Sequence, residues 1–161
     1  MRNRFMFAFT IAILAAVAMF SFVQATPIVG VTTTPIAQGQ FGDIDAKTVT
    51  GDWHAKIDTK GDSDLFVLEN RIIPGGTFGW HSHPGQSLVI VKSGALTLYL
   101  AADPTCTGQV VSAGSGFVDN GGDIHLVRNE GNIDTVVIVT SLVPRGAARR
   151  IDQPAPSNCG F

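Results

Sequence analysis

The sequence contains few charged residues and almost no cysteine. Charged side chains make up 15% of the 161 residues, with 11 Lys and Arg against 13 Asp and Glu. The basic residues form no stripe and do not alternate with aromatic ones, so no nucleic-acid partner is expected. Two cysteines are too few for a disulfide-rich scaffold. Beyond the N-terminal segment, no long stretch has the apolar period of a helix, which excludes a helical bundle.

The N-terminus has the pattern of a secretory signal peptide. Arg2 and Arg4 give a positive start, residues 5–22 are almost wholly apolar, and small residues precede a cleavage point after Ala25. We therefore predict a cleaved signal peptide at 1–25 and a secreted or periplasmic mature chain. The alternative is an uncleaved membrane anchor, because the apolar run approaches the ~20 residues that span a bilayer. A membrane is an expected partner only in that case.

The remaining sequence is typical of an all-β fold. Short β-branched or alternating segments are separated by turns rich in Gly, Asn, Asp and Pro, and this even spacing favours a barrel or sandwich. The length suits one domain. We predict an extended, loosely attached lead-in at 26–48, the domain at 49–143 and a C-terminal tail at 144–161. The predicted strands are 53–57, 64–73, 77–83, 87–91, 95–100, 116–118, 124–129 and 135–142.

The two cysteines lie far apart in the sequence. Cys106 follows a turn in the middle of the domain, and Cys159 is two residues from the C-terminus. In an exported chain one disulfide between them is the expected state, and it would tie the tail to the barrel. The alternative is a pair of free thiols acting as ligands or nucleophiles, although neither cysteine is near a motif histidine in the sequence.

Three of the four histidines lie in two motifs with regular spacing. Gly75–Gly94 reads GGTFGWHSHPGQSLVIVKSG, and Gly114–Asn129 reads GSGFVDNGGDIHLVRN. Both stretches resemble the motifs of the cupin family, in which a His-x-His pair and a later histidine stand between fixed glycines. The resemblance implies a double-stranded β-helix, a small jelly-roll barrel. It leaves the reaction open, because cupins include dioxygenases, isomerases and non-catalytic binding domains.

The motif histidines also indicate a metal site. Alternate residues of a strand share a face, so His81 and His83 point the same way, and His125 supplies a third imidazole from the second motif. Three neutral imidazoles suit a divalent transition metal and leave coordination positions open for water and substrate. The expected cofactor is a divalent Zn, Fe, Mn, Ni or Cu ion.

Two positions depart from the family pattern. Ser87 stands where the family has its glutamate ligand, and Asn120 stands in the proline position. Gln86, Ser87 through a water molecule, and Asp123 are candidate supplementary ligands, and Glu69 is a further candidate. Loss of the glutamate also allows a pocket without metal, in which the histidines bind an anion or a polar ligand.

Two functions are compatible with these residues. The first is a metalloenzyme of dioxygenase or isomerase type that binds a small molecule in the barrel. The second is a non-catalytic module that binds a small metabolite in the same pocket. The sequence assigns no catalytic residue. The expected partners are a small-molecule ligand or substrate and, in a homodimer, a second copy of the chain.

Overall fold

The computed structural model describes residues 25–161, so the predicted signal peptide lies outside the described residues except for Ala25. Between Ala25 and Phe161 the protein has twelve strands and no helix with the length and apolarity that crossing a membrane requires. The strands are β1 (Val29–Phe41), β2 (Asp45–Thr50), β3 (Trp53–Asp58), β4 (Ser63–Thr77), β5 (His81–Ser82), β6 (Gln86–Ser93), β7 (Ala95–Leu100), β8 (Gln109–Ser112), β9 (Gly116–Asp119), β10 (His125–Arg128), β11 (Thr135–Pro144) and β12 (Ile151–Asp152).

Ten of these strands form a nearly closed antiparallel barrel. One wall has the order β1-β4-β11-β6-β9, and the other has the order β12-β5-β10-β7-β8. The walls join where Thr77 of β4 pairs with Arg128 of β10. The predicted all-β class and double-stranded β-helix are confirmed. The remaining strands, β2 and β3, pair only with each other as an exposed hairpin.

Strict alternation of side chains builds the barrel interior. Every second residue of β6 from Ser87 to Val91 is buried, and the residues between them are exposed. Burying one such aliphatic side chain contributes roughly 1.5–3 kcal/mol. Apolar residues therefore fill one end of the barrel and form the floor of a cavity. The buried members of this core are Ile72, Val89, Val91, Leu96, Leu98, Val127, Val137 and Val139.

The N-terminal segment belongs to the barrel. The sequence indicated a loosely attached lead-in at 26–48, whereas β1 pairs with β4 from Val29 opposite Thr77 to Phe41 opposite Ser63. Nearly all of β1 is exposed, so it lacks the apolar alternation that identifies a half-buried strand in a sequence. Backbone hydrogen bonds to a long neighbour order this edge strand.

The C-terminal tail is attached to the barrel at several points. β12 pairs with β5, so that Ile151 lies opposite Ser82 and Asp152 lies opposite His81. The predicted disulfide between Cys106 and Cys159 is present, with a Cα–Cα distance of 5.5 Å. Cys159 also packs in a second core cluster whose other buried members are Trp80, Tyr99 and Leu126.

We expect the double substitution Cys106→Ser/Cys159→Ser to lower the free energy of unfolding by about 2–4 kcal/mol, because the bond restricts the unfolded chain. Urea denaturation of the oxidised parent and the variant will measure this difference. Reduced parent protein is the control, and its urea midpoint should equal that of the variant. Equal midpoints for all three samples, or two free thiols in the unreduced parent, would contradict the prediction.

Candidate metal centre

Three histidine side chains meet at one end of the barrel. His81 lies in β5, His83 follows that strand directly, and His125 opens β10. β5 and β10 are neighbours, with His125 paired opposite His81. One ring nitrogen from each histidine lies within 4.8 Å of the others, and all three residues are buried. The barrel therefore holds three histidines positioned for metal binding.

Backbone carbonyl groups fix the orientation of all three rings. Nδ1 of His81 lies 2.9 Å from the oxygen of Gly79, and Nδ1 of His83 lies 2.5 Å from the oxygen of Arg149. Nδ1 of His125 lies 3.0 Å from the oxygen of Asp123. A carbonyl oxygen only accepts, so each Nδ1 carries the proton and each Nε2 keeps a free lone pair. Metal-binding histidines are commonly held in this way.

Burial keeps the imidazoles of His81 and His83 neutral. Loss of hydration, together with the nearby His125 and Arg150, lowers the pKa of His81 to about 2. Burial also lowers the pKa of His83. A neutral imidazole is the form that binds a metal ion, so His81 and His83 lose no proton when they act as ligands.

Ser87 faces the site from β6. Its side chain is buried, and its hydroxyl lies 2.8 Å from that of Ser141 on β11. Asp119 of β9 pairs directly opposite Ser87 and points into the same cavity. The carboxylate oxygen Oδ2 of Asp119 lies 3.7 Å from Nε2 of His83. An acidic group from the adjacent strand thus stands beside the position where the family glutamate is missing.

Sequence reasoning missed Asp119. The predicted strand at 116–118 ended one residue too early, because Asn120 and the glycines after it marked the turn. β9 extends to Asp119, and Phe117 and Asp119 alternate with the exposed Val118. Alternation from the apolar Phe117 is the signal that would have placed Asp119 inside the barrel.

The other candidate ligands lie outside the site. Gln86 is exposed and lines a surface groove beside the β3–β4 turn. The side chain of Asp123 is exposed, because β10 begins only at His125 and Asp123 precedes the strand. Its backbone oxygen, rather than its carboxylate, contacts His125. Glu69 points outward from β4 and binds Lys92 at 2.8 Å.

The tail contributes to the cavity wall. Arg149 and Arg150 fall in the segment that the sequence predicts as a C-terminal tail, and both line the cavity together with the three histidines. Both arginines directly precede β12, whose pairing with β5 holds this segment beside His81 and Ser82. The cavity is therefore apolar at its floor and carries histidine, arginine and aspartate side chains at its mouth.

Comparison with known protein families supports the resemblance to cupins. The sequence model described as "Cupin domain" matches residues 69–141. No curated protein matches the chain.

Several solved structures are similar to the chain. A recombinant oxalate oxidase in complex with glycolate is 27% identical with a TM-score of 0.43, and the match covers 48% of this chain and 41% of that one. A cupin superfamily protein from Desulfitobacterium hafniense is 10% identical with a TM-score of 0.48, covering 75% and 84% of the two chains. A predicted oxalate decarboxylase from Thermotoga maritima is 17% identical with a TM-score of 0.43, covering 52% and 83%. The chain thus spans less than half of the length of the oxalate oxidase.

Proposed function

We propose that this chain, of which residues 69–141 match the cupin domain model, binds a divalent transition metal through His81, His83 and His125 and a small molecule in the adjoining cavity. The observation that carries the proposal is the set of three Nδ1 contacts with backbone carbonyl oxygens. These contacts leave each Nε2 with a free lone pair, and one ring nitrogen from each histidine lies within 4.8 Å of the others in a buried region. A set of histidines retained only for packing would not need a common tautomer.

Asp119 is proposed as a fourth donor. Its Oδ2 is buried and has no hydrogen-bond partner among residues 25–161. A buried carboxylate oxygen without a partner is costly, and a cation beside it would remove that cost. The other oxygen, Oδ1, accepts a hydrogen bond from the amide of Gly121 at 3.1 Å, which orients the group. Asp119 would then take over the charge that the family glutamate supplies elsewhere.

The apolar floor of the cavity and the C-terminal tail determine how much water reaches this site. The apolar floor limits the number of water molecules beside the histidines, and the tail closes one side of the mouth. A bound ion would act as a Lewis acid that polarises a coordinated oxygen. The reaction class proposed is dioxygenase- or isomerase-like, with no catalytic residue assigned beyond the ligand set.

Location outside the cytoplasm is part of the proposal. The disulfide between Cys106 and Cys159 supports it, because such bonds persist in oxidising compartments. The signal-peptide pattern at 1–25 points in the same direction.

The alternative of a metal-free pocket that binds an anion through its histidines is less favoured. Imidazole binds an anion through an N–H group, most strongly when the ring is charged. The pKa of His81 is lowered to about 2, so its ring is neutral, and its one N–H group already donates to the oxygen of Gly79.

Elemental analysis of the purified mature protein tests the proposal. We expect close to one equivalent of a single divalent transition metal. Protein stripped of metal with a chelator should regain one equivalent in a calorimetric titration with Zn, Mn or Ni. Failure to bind any of these ions would contradict the proposal.

A further inference from the structure

The guanidinium group of Arg150 is held at one edge and free at the other. Its Nε lies 2.5 Å from Oδ1 of the exposed Asp152, which anchors the side chain. Nη1 and Nη2 are both buried and have no hydrogen-bond partner among residues 25–161. Only 16% of the Arg150 side chain is exposed. Arg150 is one of the residues that line the cavity, and its two terminal nitrogens are donors without an acceptor.

Arg149 adds a second positive charge to the same wall. Burial lowers the pKa of Arg149, and the charge of Arg150 lowers it further, so the two guanidinium groups lie close enough to repel each other. Among the described residues that line the cavity, Asp119 carries the one carboxylate. This carboxylate contacts the histidines rather than the arginines. Asp152 balances one of the two positive charges at the outer edge of Arg150, so the arginine side of the cavity keeps a net positive charge.

Buried positive charge of this kind is unfavourable unless a negative group binds to it. Leaving charged donors unpaired costs more than leaving neutral ones unpaired. The terminal nitrogens of arginine match the two oxygens of a carboxylate, and such paired contacts are both strong and specific.

The size of the cavity limits the ligand. Its volume is about 80 Å³, and one water molecule occupies about 30 Å³ in the liquid, so the cavity has room for about three water molecules. A short organic acid has a comparable number of non-hydrogen atoms. A phosphorylated sugar or a nucleotide is much larger.

We propose that the cavity binds a small organic acid, with its carboxylate on Nη1 and Nη2 of Arg150 and its remaining atoms directed at the three histidines. The contact with Arg150 stands on the guanidinium geometry alone. The orientation toward the histidines rests on the proposed function, since it assigns the acid as the ligand of the same site. Arg149 adds attraction at the mouth.

Calorimetric titration with acetate and lactate tests this assignment, with acetamide and lactamide as neutral probes of the same shape. The zinc-loaded parent should bind the acids and not the amides. In Arg150→Gln, affinity for the acids should fall on the order of 10- to 100-fold, the range for a lost hydrogen bond to a charged group. Arg71→Gln is the matched control, because Arg71 is exposed and pairs with Asp134 on the outer surface.

Thermal unfolding separates a binding role from a structural one. If Arg150 serves the ligand, Arg150→Gln should be at least as stable as the parent when no acid is present, and acetate should raise the melting temperature of the parent alone. A structural role predicts a less stable variant and equal effects of acetate on both proteins. That result would overturn the proposal.

Further outcomes are equally decisive. Equal binding of acids and amides, or binding of inorganic phosphate without binding of either acid, would overturn the assignment of a carboxylate ligand. The failure of the metal site is distinguishable from these results. Acid binding that depends on Arg150 in a protein that takes up no Zn would support the carboxylate site and contradict the proposed metalloprotein.

Discussion

Replacing His81 with alanine is expected to abolish stoichiometric metal binding. The change removes one of three imidazole donors whose ligand atoms lie within 4.8 Å of one another. Loss of a group that merely supports a ligand already costs about 10–100-fold in affinity. Loss of a ligand itself should therefore weaken binding by more than ~100-fold. Calorimetric titration of metal-free protein with Zn, together with elemental analysis of the purified variant, will measure the effect.

His125→Ala should behave like His81→Ala. His125 supplies another of the three imidazole donors, and it lies opposite His81 on the neighbouring strand. His54→Ala is the control. His54 is exposed on the hairpin strand β3, away from the three motif histidines, so this variant should bind metal as the parent does. Circular dichroism of the metal-free proteins will establish that each variant retains the β-fold. Full metal occupancy in both His81→Ala and His125→Ala would show that the ligand set is wrong.

The fold could be predicted from the sequence because the central strands alternate apolar and polar side chains and are bounded by turn residues. The segment predicted at 135–142 corresponds to β11 at Thr135–Pro144, where every second side chain is buried. The same signal is absent from β1, which is exposed along most of its length. β12 has two residues and is ordered by pairing with β5, a contact between distant parts of the chain. Local patterns carry no information about such contacts.

Part of the candidate site could also be predicted from local sequence patterns. The spacing of His81, His83 and His125 is a local property of two motifs, and the structure brings the three together. Asp119 lies within the second motif, and its alternation with Phe117 in β9 is also a local signal. Arg150 differs, because it reaches the site through the pairing of β12 with β5, two distant parts of the chain. No local pattern indicates that contact.

The second large expected effect follows from removing the carboxylate at Asp119 and placing one at Ser87, the residue paired opposite it. Asp119→Asn should weaken metal binding by about 10–100-fold, because the ion loses a nearby negative charge and an anionic donor. The asparagine oxygen still accepts from the amide of Gly121, so the β9 turn should be retained. Adding Ser87→Glu to this variant should restore most of the lost affinity. Titration of the parent, the single variant and the double variant with Zn, Mn and Ni will compare them.

Ser87→Glu in the parent background completes the series. Ser87 is buried and directly opposite Asp119, so a glutamate at this position brings a second carboxylate to the same cavity. Metal binding should tighten, because two anionic oxygens then offset the charge of the ion. Binding of a small molecule should weaken, because the added side chain fills a coordination position and part of a cavity of about 80 Å³. Unchanged metal affinity in Ser87→Glu and in Asp119→Asn would mean that neither position reaches the ion, and that three histidines alone form the centre.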